Sequence, residues 1–202
     1  MRRLLVIASV MFLSACYNAP DPGSGTSGGG PGSLAGAPAP SFEIVRTDGR
    51  PDSLARHRGQ VVLVNIWATW CPPCREEMPA LQRFARENAA NVVVLGIDQG
   101  ESASVAQAYA RERGVTFPIL VDEKQQYGRA YAAPGMPVSV VVGRDGRVVN
   151  GFDGAMTLEQ MRAFVAPALK PPAAQRTTRT RQRALRRMRI PARVLPPTRT
   201  RS

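Results

Sequence analysis

One junction restricts this chain more than any other feature. In "VVLVNIWATWCPPCREEMP", Val61 to Pro79, a near-continuous run of apolar residues ends in two cysteines, two prolines and a charged segment. Unbroken β-branched runs of this kind form strands buried on both faces, as in sheets covered by helices. After the cysteines, Met78, Leu81 and Phe84 recur at helical spacing through "REEMPALQRFAREN", which predicts a helix ending near Asn88. Cys71 therefore falls at a helix N-terminus, where unpaired backbone N–H groups point outward and lower a thiol's pKa. Pro73 suits the first turn, where its missing N–H would have no partner anyway. Cys74, one turn in, is placed to close a small disulfide with Cys71. Neither proline can donate to the Cys71 sulfur, so that duty falls on the amide of Cys74.

This placement predicts an exposed Cys71 with a pKa below the free value of about 8.5, attacking substrate disulfides. Cys74 is predicted to be shielded, with a higher pKa, and to resolve the mixed disulfide. A structural disulfide and half a zinc site compete with this reading. A stable zinc site needs four ligands, and no second cysteine pair exists. His57, the only histidine, precedes the motif in "ARHRGQ" and reads as a surface residue. No metal is expected, and no organic cofactor, because the Cys71–Cys74 disulfide itself carries two electrons.

The rest of the middle of the chain alternates. "SFEIVRTDGRPDSL" offers two short extended pieces around the turn signal Asp48-Gly49, and "NVVVLGID" is a second buried strand. Ser102 or Ser104 starts a helix that Gly114 stops. "FPILVD" is extended and "EKQQYGRAYAAP" carries a brief helix. "MPVSVVVG", the turn "RDGR" and "VVNGFDG" read as a β-hairpin. In "TLEQMRAFVAPAL", Thr157 and Gln160 form a capping box ahead of an amphipathic helix. Strands alternating with helices, then a hairpin, predict an α/β sandwich with a mixed sheet over residues 41–169.

The ends belong to other categories. Met1-Arg2-Arg3 and the uncharged run "LLVIASVMFL" form a signal-peptide pattern, since about ten apolar residues are too few to span a bilayer, which takes about twenty. The run ends in "LSAC", which resembles the bacterial lipobox and marks Cys16 for lipidation, with residues 1–16 as leader and lipobox. Lipidation of Cys16 also resolves an odd count of three cysteines into one pair. Residues 17–40 are rich in Gly, Pro and Ser and read as a flexible tether with a reach of roughly 25–30 Å. Of 27 basic residues, 11 lie in the segment 170–202, which holds none of the 15 acidic ones. The net charge of +12 is thus a property of that tail, read as disordered, and not of the domain. Such a block binds polyanions or anionic lipid without sequence preference, and a shifted reading frame in GC-rich coding DNA produces the same kind of text. No specific nucleic-acid partner is expected.

The stretch "FEIVRTDGRPDSLARHRGQVVLVNIWATWCPPCREEMP", with "GMPVSVVVGRDGRVV" downstream, resembles the thioredoxin superfamily. The likeness is to its extracytoplasmic TlpA/ResA-like branch of membrane-tethered thiol–disulfide oxidoreductases. It implies a thioredoxin-like α/β/α sandwich with a central mixed sheet. It also implies that Pro137 is the family's cis-proline, placed beside the cysteines, with the Met136 backbone pairing with an incoming substrate strand. Val138-Ser139 follow, where family members usually have Thr soon after this proline. By the same resemblance Asn65 occupies the position of a buried proton-accepting Asp that it cannot replace. Glu77 matches a Glu that influences the active-site pKa values, against the plainer reading of a first-turn carboxylate favoured by the helix dipole. Trp67 is expected to pack and Trp70 to shield the site and contact substrate. The implied protein is a periplasmic, lipid-anchored, monomeric enzyme that reduces exported proteins such as apocytochrome c and is re-reduced by an integral-membrane electron donor. A peroxide-reducing redoxin and a copper-handling protein on the same scaffold are the alternatives, the latter resting on Met78 and Met136.

Overall fold

The computed structural model describes residues 30–170. Cys16, the leader, most of the expected tether and all of the basic tail after Lys170 lie outside that range. Seven strands, β1 (Ile44–Arg46), β2 (Pro51–Asp52), β3 (Val61–Trp67), β4 (Val92–Gln99), β5 (Ile119–Asp122), β6 (Val138–Val142) and β7 (Val148–Asp153), form one sheet in the order β2-β1-β5-β4-β3-β6-β7. Strands β3, β4 and β5 run parallel, while β1, β6 and β7 pair antiparallel with their neighbours. The expected mixed sheet is therefore present.

All seven residues of β3 are buried, which is why its sequence shows no polar alternation. Its side chains alternate between two cores. Val61, Leu63 and Trp67 face α1 (Pro72–Asn88), α2 (Ala103–Arg113) and α4 (Leu158–Leu169). Val62, Val64 and Ile66 face Leu54 and the two tyrosines of the α3 region (Gln126–Ala130), Tyr127 and Tyr131. Right-handed crossovers from β3 to β4 and from β4 to β5 put α1 and α2 on the same face. Two stop signals act as their chemistry demands. Gly114 ends α2 at φ 65°, and Thr157 starts α4 through a reciprocal capping box with Gln160. Ser102 is the α2 N-cap but makes no side-chain capping bond.

The N-terminal boundary differs from expectation. Residues 30–40 belong by composition to the flexible tether, yet Pro31–Leu34 form a 3-10 helix and Pro31 is buried. Backbone bonds from Gly36 N to Val148 O and from Ala39 N to Gly146 O run this segment along β7, with a further bridge between Pro38 and Arg147. It covers what would otherwise be an open sheet edge, a recurrent liability in β proteins. Composition hid this, because the contact is made by backbone and not by side chains. Gly151 makes the approach feasible: a Cβ there would stand 2.3 Å from the Pro31 carbonyl carbon and 2.5 Å from the Gly32 nitrogen. Gly151→Ala is expected to lift the segment off β7 and to cost roughly 1–3 kcal/mol. Thermal unfolding should register it as a fall of several degrees, and limited proteolysis as new cleavage before Ser41.

Candidate active site

Strand β3 delivers the chain to the top of the sheet, and a turn closed by the Cys71 N–H to Ala68 O bond (3.2 Å) feeds it into α1. Cys71 is the N-cap of α1, with Pro72 and Pro73 in the first turn. Its sulfur accepts from the Cys74 amide at 3.3 Å, the donor expected when both intervening residues are prolines. The two cysteines are joined as a disulfide with Cα atoms 5.3 Å apart.

Cys71 was expected to be exposed. In this oxidised state it is 3 % exposed, against 1 % for Cys74. The Cys71 sulfur lies 3.6 Å from the Met136 carbonyl oxygen. No hydrogen bond exists there while the sulfur carries no proton. After reduction a Cys71 thiol could donate to that carbonyl, whereas a thiolate would be repelled by it. The Cys74 amide and the helix end place positive potential at this sulfur, and the Met136 oxygen places negative potential there.

The Met136–Pro137 peptide is cis, as the resemblance implied. Among the described residues, neither the N–H nor the C=O of Met136 is engaged by another backbone group. Trp67 is fully buried and packs on Tyr109 at 5.2 Å between ring centroids. Trp70, expected to shield the pair and contact substrate, stands 64 % exposed at the rim. His57, expected at the surface, is partly buried: its Nε2 lies 3.0 Å from Asp52 Oδ1 and its side chain is 18 % exposed.

Glu77 departs from the plain first-turn reading. It sits past the first turn of α1, three residues beyond Cys74 and on the same buried face. Asn65 Nδ2 donates to its Oε2 at 3.1 Å and the Met156 N–H to its Oε1 at 3.0 Å. Asn65 also donates to Ser139 Oγ at 3.1 Å. Burial pushes the Glu77 pKa from 4.5 up to about 7, and the two donated hydrogen bonds only partly oppose it. The residue that cannot titrate, Asn65, thus holds one that titrates near neutrality.

A second buried acid escaped the sequence reading. Asp98, at the end of β4 and in register with Trp67, is fully buried, with no hydrogen-bond partner on either carboxyl oxygen. Burial, and then the nearby Glu101 carboxylate, raise its pKa from 3.8 to about 8. Glu101 in turn accepts from the Thr69 N–H and Oγ1, each at 2.6 Å, and pins the turn before Cys71. "NVVVLGID" revealed a buried strand; the acid inside it was the overlooked signal. Among the described residues no group of His, Cys, Asp and Glu converges as a metal site.

The family model described as Redoxin matches residues 34–165. The chain belongs to the redoxin family. Thiol-disulfide oxidoreductase ResA from Geobacillus thermodenitrificans is 31% identical over 137 residues, covering 67% of this chain and 78% of that protein. Thioredoxin-like protein YneN from Bacillus subtilis is 33% identical over 129 residues, covering 62% and 75%. Among solved structures, a thiol:disulfide interchange protein of the thioredoxin family from Chlorobium tepidum aligns with a TM-score of 0.59 at 31% identity, over 66% of this chain and 96% of that one. The fold of this redoxin is thioredoxin-like. Its relatives and its Cys71–Cys74 disulfide make it a protein-disulfide oxidoreductase.

Proposed function

We propose that this redoxin is a membrane-tethered periplasmic reductase of disulfides in exported proteins, apocytochrome c among them. Lipid on Cys16 supplies the tether, the enzyme works as a monomer, and an integral-membrane donor restores its dithiol. The observation that supports this most is Cys71 at the N-cap of α1 with the Cys74 amide on its sulfur.

In the reduced enzyme the Cys71 thiolate attacks one sulfur of a substrate disulfide, forms a mixed disulfide and expels the other substrate sulfur as a thiolate, which takes up a proton. The unpaired backbone of Met136 holds the substrate as an added strand, and Trp70 lies beside it. Glu77 accepts the Cys74 proton, its pKa of about 7 suiting it to do so near neutral pH. Cys74 then attacks the Cys71 sulfur, closes the disulfide seen here and releases the second substrate sulfur as a thiolate, which takes up the proton that Glu77 held. Two electrons and two protons pass to substrate, and no organic cofactor takes part.

The reduction potential of the Cys71–Cys74 couple, measured by equilibration with a dithiol buffer, tests the direction. A value near or below about −200 mV supports reductase work, whereas one near −120 mV makes the protein an oxidant and overturns it.

A further inference from the structure

Beside the disulfide lies a cavity of about 350 Å³ that the exchange chemistry does not require. Ile66 forms part of its wall from the sheet, Trp70 and Met136 border it from the cysteine side, and Gln125, Arg129 and Ala132 come from the α3 segment. Three observations single it out. Trp70 is among the few large apolar side chains left exposed. Gln125 (φ 53°) and Ala132 (φ 50°) are the only non-glycine residues at positive φ among those described, and both line this cavity. Left-handed backbone at non-glycine positions collects at binding sites, where surrounding structure enforces it. Finally, Arg129 is exposed, and no ion pair or hydrogen bond of its guanidinium exists among the described residues. No carboxylate lines the cavity. Its charge is positive and unanswered.

We propose that this cavity selects the protein substrate by charge: it takes an acidic side chain lying within two residues of the target cysteine, with Arg129 as its counter-ion. The inference rests on the exchange reading above and adds the identity of the preferred segment. Met136 connects the two places, since its carbonyl touches Cys71 and its side of the loop borders the cavity. A substrate strand lying along Met136 brings its cysteine to Cys71 and an adjacent side chain to the cavity. There the aliphatic part of a Glu or Asp meets Trp70 and its carboxylate meets the guanidinium. Arg129 suits that task, because a planar fork of donors matches a carboxylate.

Matched peptides, each with one intramolecular disulfide and with Glu, Gln or Lys two residues from a cysteine, test this on the full-length reduced protein. The readout is the ratio of kcat/KM for Glu over Lys peptides within each protein, so a change in overall rate does not enter. The wild type should favour Glu by roughly five-fold, the worth of one partly exposed ion pair. The preference should reside in KM and shrink at high salt. Arg129→Gln should bring the ratio to near one, and Arg129→Glu should invert it. A ratio unchanged in Arg129→Glu overturns the proposal. So does a wild type that favours Lys, which would assign the cavity to cation–π binding on Trp70. If the wild type reduces none of the peptides, the exchange reading itself fails, a result distinguishable from a flat ratio at good rates.

Discussion

Replacing Cys71 by serine should lower protein-disulfide reduction by a thousand-fold or more, on the order of losses seen when a covalent nucleophile is removed. Cys74→Ser should behave differently. Its Cys71 still attacks, but nothing resolves the product, so covalent enzyme–substrate adducts should accumulate and disappear on adding dithiothreitol. Non-reducing electrophoresis after mixing with an oxidised substrate checks both variants. The asymmetry follows from position. Cys71 caps α1 and receives the Cys74 amide, while Cys74 lies one turn in and is 1 % exposed. Equal trapping by both variants would remove the distinction between attacking and resolving sulfur.

Between pH 8 and 4.5, acidification should stabilise this fold through two buried carboxyls, against the usual trend for carboxylates. Glu77 binds its proton more tightly folded, with a pKa of about 7 against 4.5. Its contribution is complete below about pH 4.5 and is lost as pH rises through 7. A shift of that size corresponds to a loss on the order of 3 kcal/mol across that window. Asp98, raised to about 8, adds a further loss of the same sign that extends to higher pH. Denaturant midpoints from pH 4.5 to 8 should therefore fall for the wild type and fall less steeply for Glu77→Gln. The glutamine keeps the acceptor for the Met156 N–H, and a turned Asn65 amide answers its new donor. Parallel slopes in the two proteins would show that Glu77 is ionised throughout.

Fold and motif were legible where local chemistry acts alone. β3 announced itself because both faces are buried, and the Thr157–Gln160 box and Gly114 act through atoms within a few residues. The Cys74 amide on the Cys71 sulfur followed from two prolines that cannot donate. What escaped depends on distant neighbours. Burial of Cys71 depends on the Met136 loop, 65 residues away. Glu77 reads as a surface acid until Asn65 and Met156 are brought to it, and Asp98 as a strand-end polar residue until the fold buries it beside Trp67. The Pro31–Leu34 turn was invisible because Gly and Pro text looks alike whether it floats or docks.

That docked segment also sets an orientation. Read backward from Ala39 it follows β7 from Gly146 to Gly151, toward Asp153, which pairs with Val138 next to the cis-proline. Its Pro31–Gly32 end thus lies against Gly151, level with Val140 of β6, on the half of β7 nearer the sulfurs. The strap over the last strand therefore reaches the half of that strand nearer the site, and loosening it would unpair the neighbour of the strand that follows the cis-proline.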